Sequence, residues 1–125
     1  RGVKPDAIYT STALRAKTTA EVVAEELSYS RSQIVTDREI YLADPRKLRS
    51  VIQRFNEDAD TVMVFGHNPG MHEMASLLCQ EDEVDGFPTL GVARIELKVD
   101  YWGEVDWGCG LLLELLTPKM LKQDS

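Results

Sequence analysis

The sequence predicts an α/β protein with a mostly parallel sheet flanked by helices, and two observations indicate this class. Strand-like and helix-like segments alternate in the order β-α-β-α-β-α-β-β, which is typical of a parallel sheet covered by helices. The strand candidate DTVMVFG, residues 60–66, is apolar nearly throughout, as expected of a strand buried on both faces at the sheet centre. With 125 residues, we expect one domain over 1–125.

Each predicted element follows from a local pattern. The first strand, DAIYT at 6–10, leads into a helix over 13–27, where apolar residues recur with a period close to 3.6. Ser11 or Thr12 is the predicted N-cap of that helix, because a hydroxyl can accept a hydrogen bond from a free backbone N–H. Further strands are predicted at 32–36, 60–66 and 92–99, and the segment 110–117 is a strand or alternatively a helix. Two further helices are predicted. One spans 45–55 and is capped by Asp44 before Pro45, and the other is opened by Asn68-Pro69 and ends near 79.

The charge and hydropathy patterns exclude several classes of function. The formal net charge is −7 and the isoelectric point is about 4.8, which argues against nucleic-acid binding because phosphate backbones attract basic surfaces. No apolar run approaches the length of a membrane span, and no export signal opens the sequence. We therefore expect a cytoplasmic protein that does not interact with membranes.

Two loops that follow predicted strands carry the side chains most suited to chemistry. Arg15 lies in TSTALRAKT, 10–18, and His67 lies in GHNPG, 66–70. If the two preceding strands run parallel, both loops leave the same edge of the sheet, where helix N-termini also point. Arginine and histidine there predict an anion site suited to phosphoryl transfer. Taken singly, each residue also fits a structural or solvated role.

The two motifs IYTSTALRAKTTAEVV and VMVFGHNPGMHEMASLL resemble the histidine phosphatase (phosphoglycerate mutase-like) superfamily. In that superfamily an S-x-x-x-R-A-x-x-T-A pattern follows the second strand, and a G-H-N-P loop holds the second active-site histidine. The C-terminal segment, from FPTLGVARIEL to TPKML, is similar to the small SixA-type phosphohistidine phosphatases. The resemblance implies a phosphoglycerate mutase-like fold and a phosphatase that uses neither metal nor cofactor.

The resemblance also implies roles for individual residues. Arg15 and His67 would be catalytic and would bind the phosphoryl group together with Asn68, while Ser11 would support the loop. Glu39 is the nearest candidate for a general acid, although Leu42 stands where many SixA-like sequences carry a glutamate. The implied substrate is phosphohistidine in a protein domain, or a small phosphomonoester.

The nucleophile of the family is a histidine in an R-H-G or R-H-A motif, and the sequence contains no such motif. We expect that the chain is N-terminally incomplete and lacks the first strand and helix of the fold. That segment would carry the histidine that forms the phosphohistidine intermediate. An alternative is a noncatalytic module that binds a phosphorylated ligand. The remaining alternatives are that His67 itself is the nucleophile, or that the function is unrelated.

Overall fold

The computed structural model describes residues 5–67, 70–79 and 92–116, and each predicted helix and strand has a counterpart there. In chain order the elements are β1 (Ala7–Thr10), α1 (Leu14–Glu26), β2 (Val35–Thr36), α2 (Pro45–Gln53), β3 (Val62–Phe65), α3 (Gly70–Leu78), β4 (Val92–Leu97) and β5 (Gly110–Leu116). Single-turn 3₁₀-helices lie at Arg31–Gln33, Arg38–Ile40 and Trp102–Glu104.

The strands β2, β1 and β3 form a parallel sheet in that lateral order. Thr10, the last residue of β1, is in register with Thr36 on one side and Phe65 on the other. β4 and β5 form an antiparallel pair with a register shift between Arg94 and Ile95. This architecture confirms the predicted α/β class. The register also brings the ends of β1 and β3 to the same edge of the sheet.

Both faces of the parallel sheet are covered. Successive side chains of β1 point to opposite faces, and each face has its own packing partners. On one face, Ile8 packs with Ala20 and Ala24 of α1. On the other, Tyr9 stacks on Phe55 just after α2, with ring centroids 4.5 Å apart. None of the helices among the described residues is long and apolar enough to cross a membrane.

The prediction that 60–66 forms the central strand is wrong for the described parallel sheet. β1 takes the middle position, and its Ile8 is fully buried, whereas all four residues of β3 are half-buried. An apolar run indicates that both faces of a strand are covered, and residues of β3 do pack against both core clusters here. It carries no information on how many strands pair with its edges.

Two boundaries are also shaped by local chemistry. The predicted strand at 32–36 shrinks to Val35–Thr36, because the preceding residues turn into a 3₁₀-helix. The capped start of α2 is confirmed: the Oδ1 of Asp44 accepts a hydrogen bond from the N–H of Lys47 at 2.9 Å. Pro45 occupies the first helical position, where no intrahelical donor is needed.

Candidate functional site

The loop between β1 and α1 forms the first part of the candidate site. Ser11 follows directly after β1 and is fully buried. Its backbone N–H donates a hydrogen bond to the carbonyl oxygen of Phe65, the last residue of β3, at 3.0 Å. This bond continues the β1–β3 pairing by one residue, so the loop after β1 is tied to the end of β3.

The side chain of Ser11 contacts His67 in the second motif. The two side chains share a hydrogen bond of 2.7 Å between Oγ and Nε2. Because α1 begins after Ala13 with no side-chain cap, the prediction that Ser11 or Thr12 caps this helix is wrong. The Ser11 Oγ accepts the N–H of Ala13 at 3.3 Å ahead of the helix, and its main partner is a histidine 56 residues away.

His67 is half-buried and held by neighbours from other segments. Its ring meets the ring of Tyr41 edge-on, with centroids 5.5 Å apart and planes at 86°. Its carbonyl oxygen accepts the N–H of Met71, at 2.9 Å, in the first turn of α3. The preceding residue is Gly66, where a Cβ would lie 2.9 Å from the Met71 sulfur. The ring contact with Tyr41 and the hydrogen bond with Ser11 hold the imidazole at the end of β3.

Arg15 is the second residue of α1 and is exposed at the start of the helix. α1 follows β1 and α3 follows β3, so both helices begin at the edge where these strands end, with their positive dipole ends towards it. The guanidinium adds five donors in a planar fork. This arrangement can hold an oxyanion such as a phosphoryl group. Asn68, also predicted to bind phosphate, lies outside the described residues.

Glu39, the candidate general acid, forms an ion pair with Arg54 at the C-terminal end of α2. The Nη2 of Arg54 donates to the Oε2 of Glu39 at 2.8 Å. This hydrogen bond and the guanidinium charge lower the pKa of the Glu39 carboxyl. A carboxyl held ionised in this way is poorly suited to donate a proton near neutral pH. Its role as a general acid stays a prediction that this geometry does not favour.

The contacts of His67 with Ser11 and Tyr41 were not predicted from the sequence. Ser11 was expected only to cap α1 or to support its loop, and Tyr41 was not singled out. Hydrophobic periodicity and motif spacing report on neighbours along the chain, whereas both contacts join separate loops. The one usable signal was the position of Ser11 directly after a predicted strand.

Three solved structures that resemble the chain are SixA proteins. One, assigned as the phosphohistidine phosphatase SixA of Agrobacterium tumefaciens, is 28% identical with a TM-score of 0.74, covering 92% of this chain and 69% of that one. The protein histidine phosphatase SixA complexed with tungstate is 25% identical with a TM-score of 0.76, covering 95% and 72%. A SixA protein from Nakamurella multipartitia, at 19% identity and a TM-score of 0.76, shows the fold alone.

Comparison of sequences finds a relative of uncharacterised function. An uncharacterised protein of Mycobacterium tuberculosis is 26% identical over 123 residues, which cover 91% of this chain and 74% of the relative. No family model matches the chain. The structural neighbours confirm the predicted resemblance to SixA-type proteins of the histidine phosphatase superfamily, and they confirm the phosphoglycerate mutase-like fold.

Proposed function

We propose that this chain, which shares its fold with the SixA phosphohistidine phosphatases, is the phosphoryl-binding part of a metal-independent phosphatase. Its substrate would be phosphohistidine in a protein, or a small phosphomonoester. The observation that carries the proposal is the 2.7 Å contact between Ser11 and His67. This contact joins the loop ahead of Arg15 to the loop of His67, so the two residues expected to bind the phosphoryl group follow strands that end side by side.

Arg15 and His67 have complementary roles in the proposed reaction. The guanidinium fork would bind phosphoryl oxygens in two places, and the imidazole would donate a hydrogen bond to the same group. Both would stabilise the charge that spreads over these oxygens in the transition state. Ser11 and Tyr41 orient the imidazole, which reduces the reorganisation needed during reaction. Asn68 is proposed as a further phosphate ligand.

The proposed reaction proceeds through a phosphohistidine enzyme intermediate. A histidine attacks the phosphorus atom and expels the leaving group, and water then hydrolyses the phosphoenzyme. The sequence contains His67 and His72, neither of them in an R-H-G or R-H-A motif. The proposal therefore requires that a longer form of the chain supply the nucleophile.

A phosphorylated protein domain is the proposed partner, because the residues that the structure describes beside the two loops leave the site open. Between α1 and α2 the chain forms only two 3₁₀-helices and the two-residue strand β2. Leu14 and Tyr41, which lie beside the two loops, are 79% and 50% exposed. The tungstate held by one SixA neighbour supports an oxyanion site on this fold. A cytoplasmic location is part of the same proposal.

A noncatalytic module that binds a phosphorylated ligand is the second candidate function. It is favoured by one observation, the lack of an R-H-G or R-H-A motif in this sequence. Arg15 and His67 would then bind the phosphoryl group without transferring it. The two candidates differ in whether inorganic phosphate is released from a bound phosphohistidine peptide.

Phosphate release from phosphohistidine by the full-length protein tests the proposal. We expect His67→Ala and Arg15→Ala each to lower kcat/KM by about 10²-fold or more, the usual effect of removing a preorganised oxyanion ligand. Arg31→Ala is the matched control, because it removes an exposed arginine whose partner is Glu21, at 3.3 Å. The control is expected to retain the full rate.

Each outcome of this experiment has a defined meaning. Phosphate release that is unchanged in both site variants overturns the proposal. Binding of a phosphohistidine peptide without release, lost in both site variants and kept in Arg31→Ala, replaces the enzyme by the binding module.

A further inference from the structure

A cleft beside His67 has no role in the reaction described so far. It has a volume of about 200 Å³ and lies where the start of α2 faces the start of α3. We call it the leaving-group cleft, and its lining residues are Leu42, Ala43, Asp44, Pro45, His67, Gly70 and Glu73. Because His67 forms part of its wall, the cleft adjoins the proposed phosphoryl site.

The walls of the leaving-group cleft are apolar or acidic, apart from His67 itself. Leu42 and Pro45 supply apolar surface, and Asp44 and Glu73 supply carboxylates, and the lining that the structure describes contains no lysine or arginine. The Oδ1 of Asp44 already accepts the N–H that caps α2, whereas Glu73 is exposed in the first turn of α3. Such a lining repels phosphoryl oxygens and suits a largely apolar group that is neutral or cationic.

We propose that the leaving-group cleft binds the imidazole ring of the substrate phosphohistidine, with the Glu73 carboxylate accepting a hydrogen bond from the ring N–H. This inference rests on the proposed function and deepens it. Arg15 and His67 would hold the phosphoryl end of the substrate, and the cleft would hold the group from which phosphorus departs. The opposite charge preferences of the two compartments match the two ends of a phosphohistidine with a protonated ring.

The chemistry of P–N cleavage explains why a carboxylate is useful in that position. When the ring nitrogen remote from phosphorus is protonated, the ring is cationic. As the nucleophile attacks phosphorus, the electron pair of the P–N bond passes to the ring nitrogen, and the imidazole leaves neutral with its proton still on the other nitrogen. Glu73 would favour binding of this protonated, reactive form. A phosphate ester that releases a phenolate would gain nothing from the same carboxylate.

The test compares two substrates in the full-length protein, phosphohistidine and p-nitrophenyl phosphate. We expect Glu73→Gln to lower kcat/KM for phosphohistidine about fivefold, the size of a charge-assisted hydrogen bond near a protein surface. The rate with p-nitrophenyl phosphate should stay the same or rise. Glu25→Gln is the matched control, since Glu25 is exposed on α1 and does not line the cleft. Competitive inhibition by imidazole is a second readout, and it should weaken only in Glu73→Gln.

The outcomes separate this inference from the proposed function. Equal rate losses on both substrates, or no loss on phosphohistidine together with unchanged imidazole inhibition, overturn the role of Glu73. If His67→Ala and Arg15→Ala still abolish phosphate release in that case, the proposed function stands without the cleft. If the parent protein releases no phosphate from either substrate, the proposed function fails first, and imidazole binding measured directly decides the fate of the cleft.

Discussion

The contact between α3 and the loop ahead of α2 gives a sharp prediction for Gly70. Gly70 is the first residue of α3 and is buried, and a Cβ built on it would overlap the carbonyl oxygen of Ala43. A backbone oxygen cannot rotate away as a flexible side chain can. Gly70→Ala must therefore push the start of α3 away from Ala43, and both residues line the leaving-group cleft.

The expected cost can be derived from this geometry. Overpacking of a well-packed position costs about 1–3 kcal/mol. Alanine recovers at most about 1 kcal/mol through its better helix propensity. Because the overlap is with a backbone oxygen, we take the upper end of this range, about 2–3 kcal/mol, and subtracting about 1 kcal/mol of helix propensity leaves an expected loss of about 1–2 kcal/mol in the free energy of unfolding of the full-length protein. The displaced cleft wall should also lower the rate with phosphohistidine.

Urea unfolding followed by circular dichroism measures the effect, and Gly103→Ala is its matched control. A Cβ at Gly103 would come no closer than 4.0 Å to its nearest neighbour, the carbonyl oxygen of Gln53. We expect this control to change stability by less than about 0.5 kcal/mol. Equal unfolding free energies for the two variants would refute the close approach of α3 to Ala43.

Three further predictions concern single contacts. Ser11→Ala removes the hydroxyl that lies 2.7 Å from the Nε2 of His67. We expect the rate of phosphate release to fall in an activity assay and the Tm to decrease in calorimetry. The carboxylate of Asp6 accepts hydrogen bonds from the backbone N–H groups of Asp60 and Thr61. These bonds lower the pKa of Asp6, and the bond from Thr61 has the larger effect. The stabilisation that Asp6 provides is therefore present above about pH 4 and is lost as the pH falls further. Asp6→Ala should thus lower the Tm at pH 7, and its difference from the parent should shrink below about pH 4. Glu39→Gln should retain activity within about twofold, because its ion pair with Arg54 indicates a structural role; a loss of about 10²-fold or more would restore Glu39 as the general acid.

The order of helices and strands was predictable because local patterns determine it. The helix start at Asp44 and Pro45 depends on a hydrogen bond that spans three residues, and it was predicted correctly. The lateral order of strands depends on pairing between distant segments, such as Ile8 with Met63, and no local pattern encodes it. For this reason the apolar pattern predicts a central position for β3, whereas β1 occupies the centre of the three-stranded sheet that the structure describes.

The candidate site divides in the same way. Arg15 and His67 could be found because each stands in a recognisable motif after a strand, and strand ends in parallel sheets meet at one edge. The contact of Ser11 with His67, the edge-on packing of Tyr41 and the cleft with Glu73 depend on side chains from loops far apart in sequence. A hydrophobic pattern contains no information on how such loops face each other.

Leu42 has a strained backbone at the rim of the leaving-group cleft. Its φ of 51° lies in the left-handed region, where a Cβ crowds the carbonyl oxygen at a cost of about 1–2 kcal/mol. Its side chain is 67% exposed, so little burial offsets this cost. Leu42→Gly relieves the strain but adds chain entropy worth about 0.5–1 kcal/mol. We expect the free energy of unfolding to rise by up to about 1.5 kcal/mol. We expect kcat/KM for phosphohistidine to fall about threefold, because an apolar wall of the cleft is lost.

Ser28→Gly separates strain from function at Leu42. Ser28 has a φ of 59° just after α1 and does not line the cleft, so the same relief of strain should raise stability there without any kinetic change. Unfolding and phosphohistidine kinetics of both variants in the full-length protein provide the comparison. Ser28→Gly should gain stability and keep the full kcat/KM for phosphohistidine. If Leu42→Gly behaves in the same way, then the substrate does not contact Leu42 in the cleft. If only Leu42→Gly loses rate, the strained conformation persists because it holds an apolar side chain where the leaving group binds.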